Sequence, residues 1–334
     1  MAAEIPLISL SQPRDGLVVA IRTACLSHGF FQVTENPCIS ASLQAGVLSY
    51  MEKFFSQPES LKRTTPKVDH IHGGYETFQR YSLDVARGKP DLNEGFCIAP
   101  EFVDDREKEM RDPWPMETEN NGLIGFKETA REYYRRADEL GRFIGGLIAE
   151  GLGLPIGYFE EYFEKQMSHC RLIHYYGQES QKKQEDDIGA GLHTDWGLIT
   201  ILYQDSVGGL EVLDKERGNF IAVPPTDGAY VVNCGDLLSR FTNGVYTSAQ
   251  HRVKAPPPGV HRYSIPYFCD GNPSYLVDVL PLGAEWKEWV EGRRGKAPEV
   301  EKHYQPIKAG VYFESKWTES TLPSNETHAS SVVV

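Results

Sequence analysis

Ser248-Ala249-Gln250-His251-Arg252-Val253 and, one turn later, Arg262-Tyr263-Ser264-Ile265-Pro266-Tyr267-Phe268 decide how this 334-residue chain is read. The second is rich in aromatic and β-branched residues, the first is a strand-like run after the turn at Thr242-Asn243-Gly244, and Pro and Gly cluster between them, as two strands separated by a turn require. Upstream the same texture recurs: Cys170–Tyr176, Leu198–Tyr203, Leu210–Leu213, Phe220–Val223, Tyr230–Asn233 and Tyr246–Lys254 are short strand candidates broken by Gly, Pro, Asp and Asn. Many short strands at regular intervals predict a sandwich or barrel. Earlier in the chain the period changes. Leu17, Ile21 and Cys25, then Leu43, Val47, Tyr50 and Phe54, then Phe126, Ala130, Tyr133, Ala137, Leu140, Ile144 and Leu147 each trace one helical face. Ile5–Ser9 and Phe30–Val33 read as strands, and Gln57–Pro100 as polar and loop-rich.

Within the β part, His193-Thr194-Asp195 is the most informative tripeptide. In extended chain, residues i and i+2 project to the same side, so an imidazole and a carboxylate face one point. His251, on a later strand, supplies a second imidazole. Two neutral imidazoles and one carboxylate on one face of an ion leave the opposite positions open, a donor set that suits non-haem Fe(II) handling oxygen. Arg262 and Ser264 repeat the i, i+2 geometry, so a guanidinium fork and a hydroxyl can grip one carboxylate.

These motifs, with their neighbours, carry a resemblance. His193-Thr194-Asp195, Gln250-His251-Arg252-Val253 and Arg262–Phe268 are similar to the signatures of the isopenicillin-N-synthase-like branch of the 2-oxoglutarate and Fe(II)-dependent dioxygenases. So are Ile5–Ile8, Gly29–Val33, Asp91–Phe96, Arg171–Tyr176, Gly208–Val212 and Asn233-Cys234-Gly235-Asp236, so the resemblance covers nearly the whole chain. It implies a mainly β protein with flanking helices, its core a double-stranded β-helix of jelly-roll, cupin-like form. Residues 1–120 would be a mixed α/β N-terminal region packed on that core. Residues 121–317 would hold the long helix, the β core (about 165–275) and a C-terminal helical segment, and 318–334 a disordered tail.

The resemblance also implies roles. His193, Asp195 and His251 would be the iron ligands, and no catalytic side chain beyond them is required. Arg262 and Ser264 would bind the distal carboxylate of 2-oxoglutarate, with Tyr176 as a further donor. Trp196 and Phe268 would flank the substrate, and Tyr75 and Phe96 would close the mouth from the N-terminal side. The chain departs from the family at His174, where Asn is common, and at Gly177, where Pro is usual. The implied reaction uses O2, with ascorbate as a candidate reductant, and releases succinate and CO2. It hydroxylates, desaturates or rearranges a small, largely apolar metabolite of specialised metabolism. Two rivals stay open: an iron oxidase of the same fold that uses Arg262 and Ser264 for its substrate's own carboxylate, and a non-catalytic homologue that binds a small ligand.

Composition narrows the partners. Lys and Arg number 34 against 47 Asp and Glu, a net charge of −13 that repels nucleic acid and anionic lipid. Locally the sign reverses: Fe(II) at +2, Asp195 at −1 and Arg262 at +1 would balance dianionic 2-oxoglutarate. The six cysteines are scattered singly, which reads as reduced thiols. The start lacks a basic n-region, and Phe143–Leu154 is too short and too charged to span a membrane. A cytoplasmic enzyme, monomeric or weakly dimeric, is the expectation. His70 and His72 read as a solvated loop, residues 101–109 as a solvated acidic face, and His169 and His174 as structural.

Overall fold

Alternating burial along the strands sorts them into two facing layers. The structure is a computed structural model describing residues 4–68, 73–80, 82–100, 113–177, 187–215, 217–283 and 304–320. Strands β1 (Leu7–Ser9), β2 (Phe30–Thr34), β3 (Gly74–Glu76), β4 (Asn93–Ile98), β5 (His169–Tyr176), β7 (Ile199–Gln204), β10 (Tyr230–Cys234) and β12 (His261–Phe268) form an eight-stranded sheet. Their order is β1-β2-β10-β7-β12-β5-β4-β3. The second sheet has the order β6-β11-β8-β9, from β6 (Ile188–His193), β8 (Leu210–Asp214), β9 (Asn219–Ala222) and β11 (His251–Lys254). Strands β13 (Leu276–Val277) and β14 (Ile307–Lys308) pair separately.

Between the layers, Phe30, Ile173, Tyr175 and Val231 of the wide sheet meet Ala190, Leu210, Val212, Ile221 and Val253 of the narrow one. Residues one position off in the wide sheet, among them Phe31, Phe96, Leu172, Ile201, Val232, Ile265 and Tyr267, point the other way into a second core. That core is closed by helices α1 (Arg14–Ser27), α2 (Ala41–Phe55) and α4 (Phe126–Gly151). The α4 residues expected from their spacing, Phe126 through Leu147, are its buried face. Ser40 caps α2 by accepting a hydrogen bond from the Leu43 amide at 3.2 Å. Short helices α3 (Glu59–Lys62), α5 (Glu160–Phe163) and α6 (Asp236–Phe241), the terminal helix α7 (Ala309–Ser320) and a 3-10 turn at Val85–Arg87 complete the described elements. No described helix is long and apolar enough to cross a membrane, and all six cysteines are unpaired. This double-stranded β-helix with flanking helices is the expected fold class.

Four differences from the sequence reading matter. Part of the loop-rich segment 57–100 is ordered as β3 and β4, which extend the wide sheet. Strand β6, which contains Gly189 and Gly191, was not among the strand candidates. Both are required in place: a Cβ on Gly189 would lie 2.7 Å from the Tyr175 ring, and one on Gly191 would lie 2.6 Å from the Asp84 amide nitrogen. Residues 246–250 precede β11 instead of belonging to it. Residues 318–320 continue α7, and 321–334, like 69–72 and the acidic run 101–109, lie outside the described residues.

The helix side of the sheet carries a buried polar cluster. Glu94 accepts hydrogen bonds from Lys62 Nζ at 2.6 Å, His174 Nδ1 at 2.9 Å and the Tyr75 hydroxyl. Burial holds His174 below the ordinary imidazole value, so its Nε2 is free to accept from His261 Nδ1 at 2.7 Å. Removing one member of a buried ion pair strands the other charge. Glu94→Leu is therefore expected to lower unfolding stability by about 3 kcal/mol or more, measured by denaturant titration. A loss below about 1 kcal/mol, the range of exposed pairs, would contradict this.

Candidate active site

His193 ends β6, His251 begins β11, and the two are directly paired in the antiparallel register of the narrow sheet. Their rings stand 4.2 Å apart, centre to centre. Asp195 lies two residues past His193, and its Oδ1 is 3.6 Å from His193 Nε2 and 3.7 Å from His251 Nε2. One ligand atom from each residue falls within 4.8 Å of the others. Each imidazole is oriented through its other nitrogen: Nδ1 of His193 donates to the Gly191 carbonyl at 2.7 Å, and Nδ1 of His251 to the Ala249 carbonyl at 3.1 Å. Both Nε2 lone pairs are thereby free to take a metal ion.

Burial, reinforced by the neighbouring His193, lowers His251 to about 4, so it is neutral at physiological pH. Burial alone would raise the Asp195 carboxyl, but the adjacent imidazoles outweigh it and hold Asp195 well below the usual carboxylate range. Burial alone would lower His193, but Asp195 outweighs it and raises it, so a metal ion takes the place of the proton that His193 and Asp195 would otherwise share. The donor set is two imidazole nitrogens and an ionised carboxylate, the set that non-haem Fe(II) takes with open positions remaining.

The segment Asn233-Cys234-Gly235-Asp236 holds Asp195 in place. Asn233 Nδ2 donates to Asp195 Oδ2 at 2.8 Å, which leaves Oδ1 turned to the histidines. The Asp236 and Gly235 amides donate to the Asp195 and Leu198 carbonyls at 2.8 and 2.9 Å. Gly235 is obligatory here, since a Cβ would run into the Gly197 carbonyl. Asp236 Oδ2 accepts from Thr194 Oγ1 at 3.1 Å and from the Tyr312 hydroxyl at 2.7 Å, tying the ligand loop to α7. Sequence reading recognised this motif without giving Asn233 a role. Asn233→Ala is expected to weaken Fe(II) binding by about 10- to 100-fold, the usual cost of losing a partner of a metal ligand. Anaerobic Fe(II) titration measures it, and an unchanged affinity would remove Asn233 from the site.

Comparison with known proteins agrees with this geometry. Residues 167–271 match the family model of the 2OG-Fe(II) oxygenase superfamily, and residues 5–117 that of the non-haem dioxygenase in morphine synthesis N-terminal region. A 2-oxoglutarate-Fe(II) type oxidoreductase of Emericella nidulans is 35% identical, over 79% of this chain and 77% of its own. The chain belongs to the 2OG-Fe(II) oxygenase superfamily. Among its relatives, clavatol oxidase of Penicillium crustosum is 33% identical over 89% of this chain and 90% of its own. The crystal structure of a full-length Neurospora crassa protein in complex with alpha-KG superposes with a TM-score of 0.79 at 30% identity, covering 94% of this chain and 96% of that one.

In this oxygenase Arg262 and Ser264 face inward from β12. The Arg262 side chain is fully buried; among the described residues its acceptor is Gln204 Oε1 at 3.4 Å, and its Nε and Nη1 have no hydrogen-bond partner. The guanidinium lies over the Tyr175 ring, 4.6 Å from its centre, and Ser264 Oγ is 3.4 Å from the Tyr175 hydroxyl. The tyrosine at this pair is therefore Tyr175 and not Tyr176, as the sequence had suggested. Arg262 pairs with Tyr175 in the β12–β5 register, so the two share a face. Tyr176 points to the opposite face and stacks on Phe78, ring centres 4.5 Å apart. His174 shares that opposite face, so its departure from the family pattern does not bear on Arg262.

Tyr75 and Phe96 are corrected for the same reason. They pair with each other across β3 and β4 and point at the helices, where both pack on Phe54. Their sequence neighbours Glu76 and Cys97 are the ones that face the cavity. That cavity, about 730 Å³, opens in front of His193 and Asp195 and does include Trp196 and Phe268. Its walls also hold residues that the sequence reading passed over: Lys67, Glu76 and Arg171 on one side, His169 beside Asp270 on another, and Phe313 and Trp317 of α7. His169, read as structural, lines the cavity with its ring stacked on Phe268 at 4.8 Å.

Proposed function

We propose that His193, Asp195 and His251 hold the Fe(II), that Arg262 with Ser264 and Tyr175 binds the distal carboxylate of 2-oxoglutarate, and that the cavity beyond the metal takes a small metabolite. The observation that carries the co-substrate assignment is the buried Arg262, a cation that among the described residues has no carboxylate partner and two unsatisfied nitrogens. Burying an unpaired charge is costly, and a ligand carboxylate removes that cost through a charge-assisted fork. With both groups bound, iron and 2-oxoglutarate together activate O2, releasing succinate and CO2 and oxidising a C–H bond of the substrate.

The side chains supply the rest. Gln204 holds one edge of the guanidinium, and the face of Tyr175 supports its plane. Asn233 fixes which oxygen Asp195 offers. Trp196, Phe268, Phe313 and Trp317 give the substrate apolar surfaces that exclude water and aim one bond at the metal. The substrate class that fits is a small molecule with an aromatic or apolar body, in keeping with specialised metabolism.

Anaerobic addition of Fe(II) and 2-oxoglutarate should give a visible charge-transfer band, and turnover should release succinate in proportion to product. Product formed without succinate would instead establish the oxidase reading.

A further inference from the structure

The cavity's outer wall contains a second, separate group of charges. Glu76 is buried, and it accepts from Arg171 Nε at 3.0 Å and Nη2 at 2.6 Å, both through Oε2. Its Oε1 faces Lys67 Nζ at 2.9 Å and accepts from the Cys97 thiol at 3.2 Å. Burial alone would raise the Glu76 carboxyl, but Arg171 and Lys67 outweigh it and hold it well below the usual range. Burial beside Glu76 pushes the Cys97 thiol up to about 11, so Cys97 stays neutral. The group therefore carries two positive charges and one negative.

The other carboxylates beside this group are engaged elsewhere or exposed. Asp270 Oδ2 lies 2.9 Å from His169 Nδ1. Asp91 accepts from the Leu83 and Gly191 amides and lies 3.8 Å from Arg87. Glu314 is exposed, so water screens it. Arg171 has its Nε and Nη2 on a single oxygen, and its Nη1 has no acceptor among the described residues. One end of the guanidinium is thus left for a planar acceptor.

Position separates this group from Arg262. Arg171 and Tyr175 project from the same face of β5, four residues apart, or about 13 Å along a strand. Arg262 sits opposite Tyr175, at the far end of that face from Arg171.

We propose that the substrate carries a carboxylate, and that Arg171, backed by Lys67 and Glu76, receives it on the cavity wall at the opposite end of β5 from Arg262. This rests on the oxygenase reading above and adds to it the polar half of the substrate. The apolar body lies between the aromatic walls, and the acid group anchors it so that the bond to be oxidised is presented in one orientation.

The test uses the anaerobic Fe(II)·2-oxoglutarate protein at saturating 2-oxoglutarate. Phenylacetate, 3-phenylpropionate and 4-phenylbutyrate, each alongside its primary amide, are titrated against the fluorescence of Trp196 and Trp317, which line the cavity. At least one acid should bind about tenfold or more tightly than its amide, the margin of one charge-assisted hydrogen bond. Arg171→Gln should erase that margin, and Arg171→Lys should restore part of it, with thermal melts showing all three proteins folded. Amides that bind as well as acids, an acid preference unchanged in Arg171→Gln, or the absence of binding by every acid would overturn the proposal. So would an acid displaced by raising 2-oxoglutarate, because it would be occupying the Arg262 end. Failure of the wild-type charge-transfer band would instead defeat the co-substrate reading, whatever the acids do.

Discussion

His193→Ala removes bound iron and turnover together: Fe(II) affinity falls by more than about 100-fold and activity by at least about 1000-fold. The size follows from the small number of donors. Only His193, Asp195 and His251 form a ligand cluster among the described residues, so losing one leaves two contacts. The remaining pair is also less well ordered, because His193 is one of the two imidazoles within 4 Å of Asp195 Oδ1. Without iron the variant should fold normally, since among the described residues the His193 ring makes one hydrogen bond, to the Gly191 carbonyl. Anaerobic iron titration, near-ultraviolet circular dichroism and succinate assay together decide it. Native-like spectra with full iron occupancy would show that the ion lies elsewhere.

Arg262→Leu separates co-substrate binding from folding. A buried cation without a carboxylate partner contributes little to the stability of the protein alone, and replacing it by an apolar side chain is expected to be neutral or stabilising without ligand. In the complex the sign reverses, because a ligand carboxylate would lose its partner inside the sandwich. That loss is about 3–5 kcal/mol, which raises the 2-oxoglutarate requirement by about 10²- to 10⁴-fold. The expected result is a melting temperature equal to or above wild type without 2-oxoglutarate, and loss of the stabilisation that 2-oxoglutarate gives. Arg262→Lys should recover only part of the affinity, since an ammonium cannot form the two-pronged contact. A variant that melts early without ligand would instead make Arg262 a structural residue, and an unchanged 2-oxoglutarate requirement would remove it from the co-substrate site.

The metal cluster was legible because His193 and Asp195 are two apart in extended chain, a local rule that sequence alone can apply, and because His251 sits in the recognisable run Gln250–Val253. The same rule explains the errors. Tyr175 and Tyr176 are adjacent and chemically alike, so choosing between them requires the register of β5 against β12, which is a tertiary fact. Tyr75 and Phe96 were assigned to the mouth of the cavity by the family resemblance alone, and without the register of β3 and β4 their facing could not be assigned. Strand β6 was hidden by glycines whose reason is a neighbour far away in sequence, the ring of Tyr175. Lys67, Glu76 and Arg171 are spread over more than a hundred positions, and nothing in their local sequence announces that they meet.

The placement of the ligands has a mechanical side. His193 and His251 belong to the narrow sheet, whereas Asp195 is hydrogen-bonded to Asn233 of the wide one. An ion at the triad is therefore a tie across the sandwich, joining two layers that otherwise meet there through apolar side chains. Its binding energy adds to the cohesion of the layers by mass action. Fe(II) should therefore raise the unfolding temperature of the wild-type protein as its concentration rises, while the unloaded protein keeps its fold.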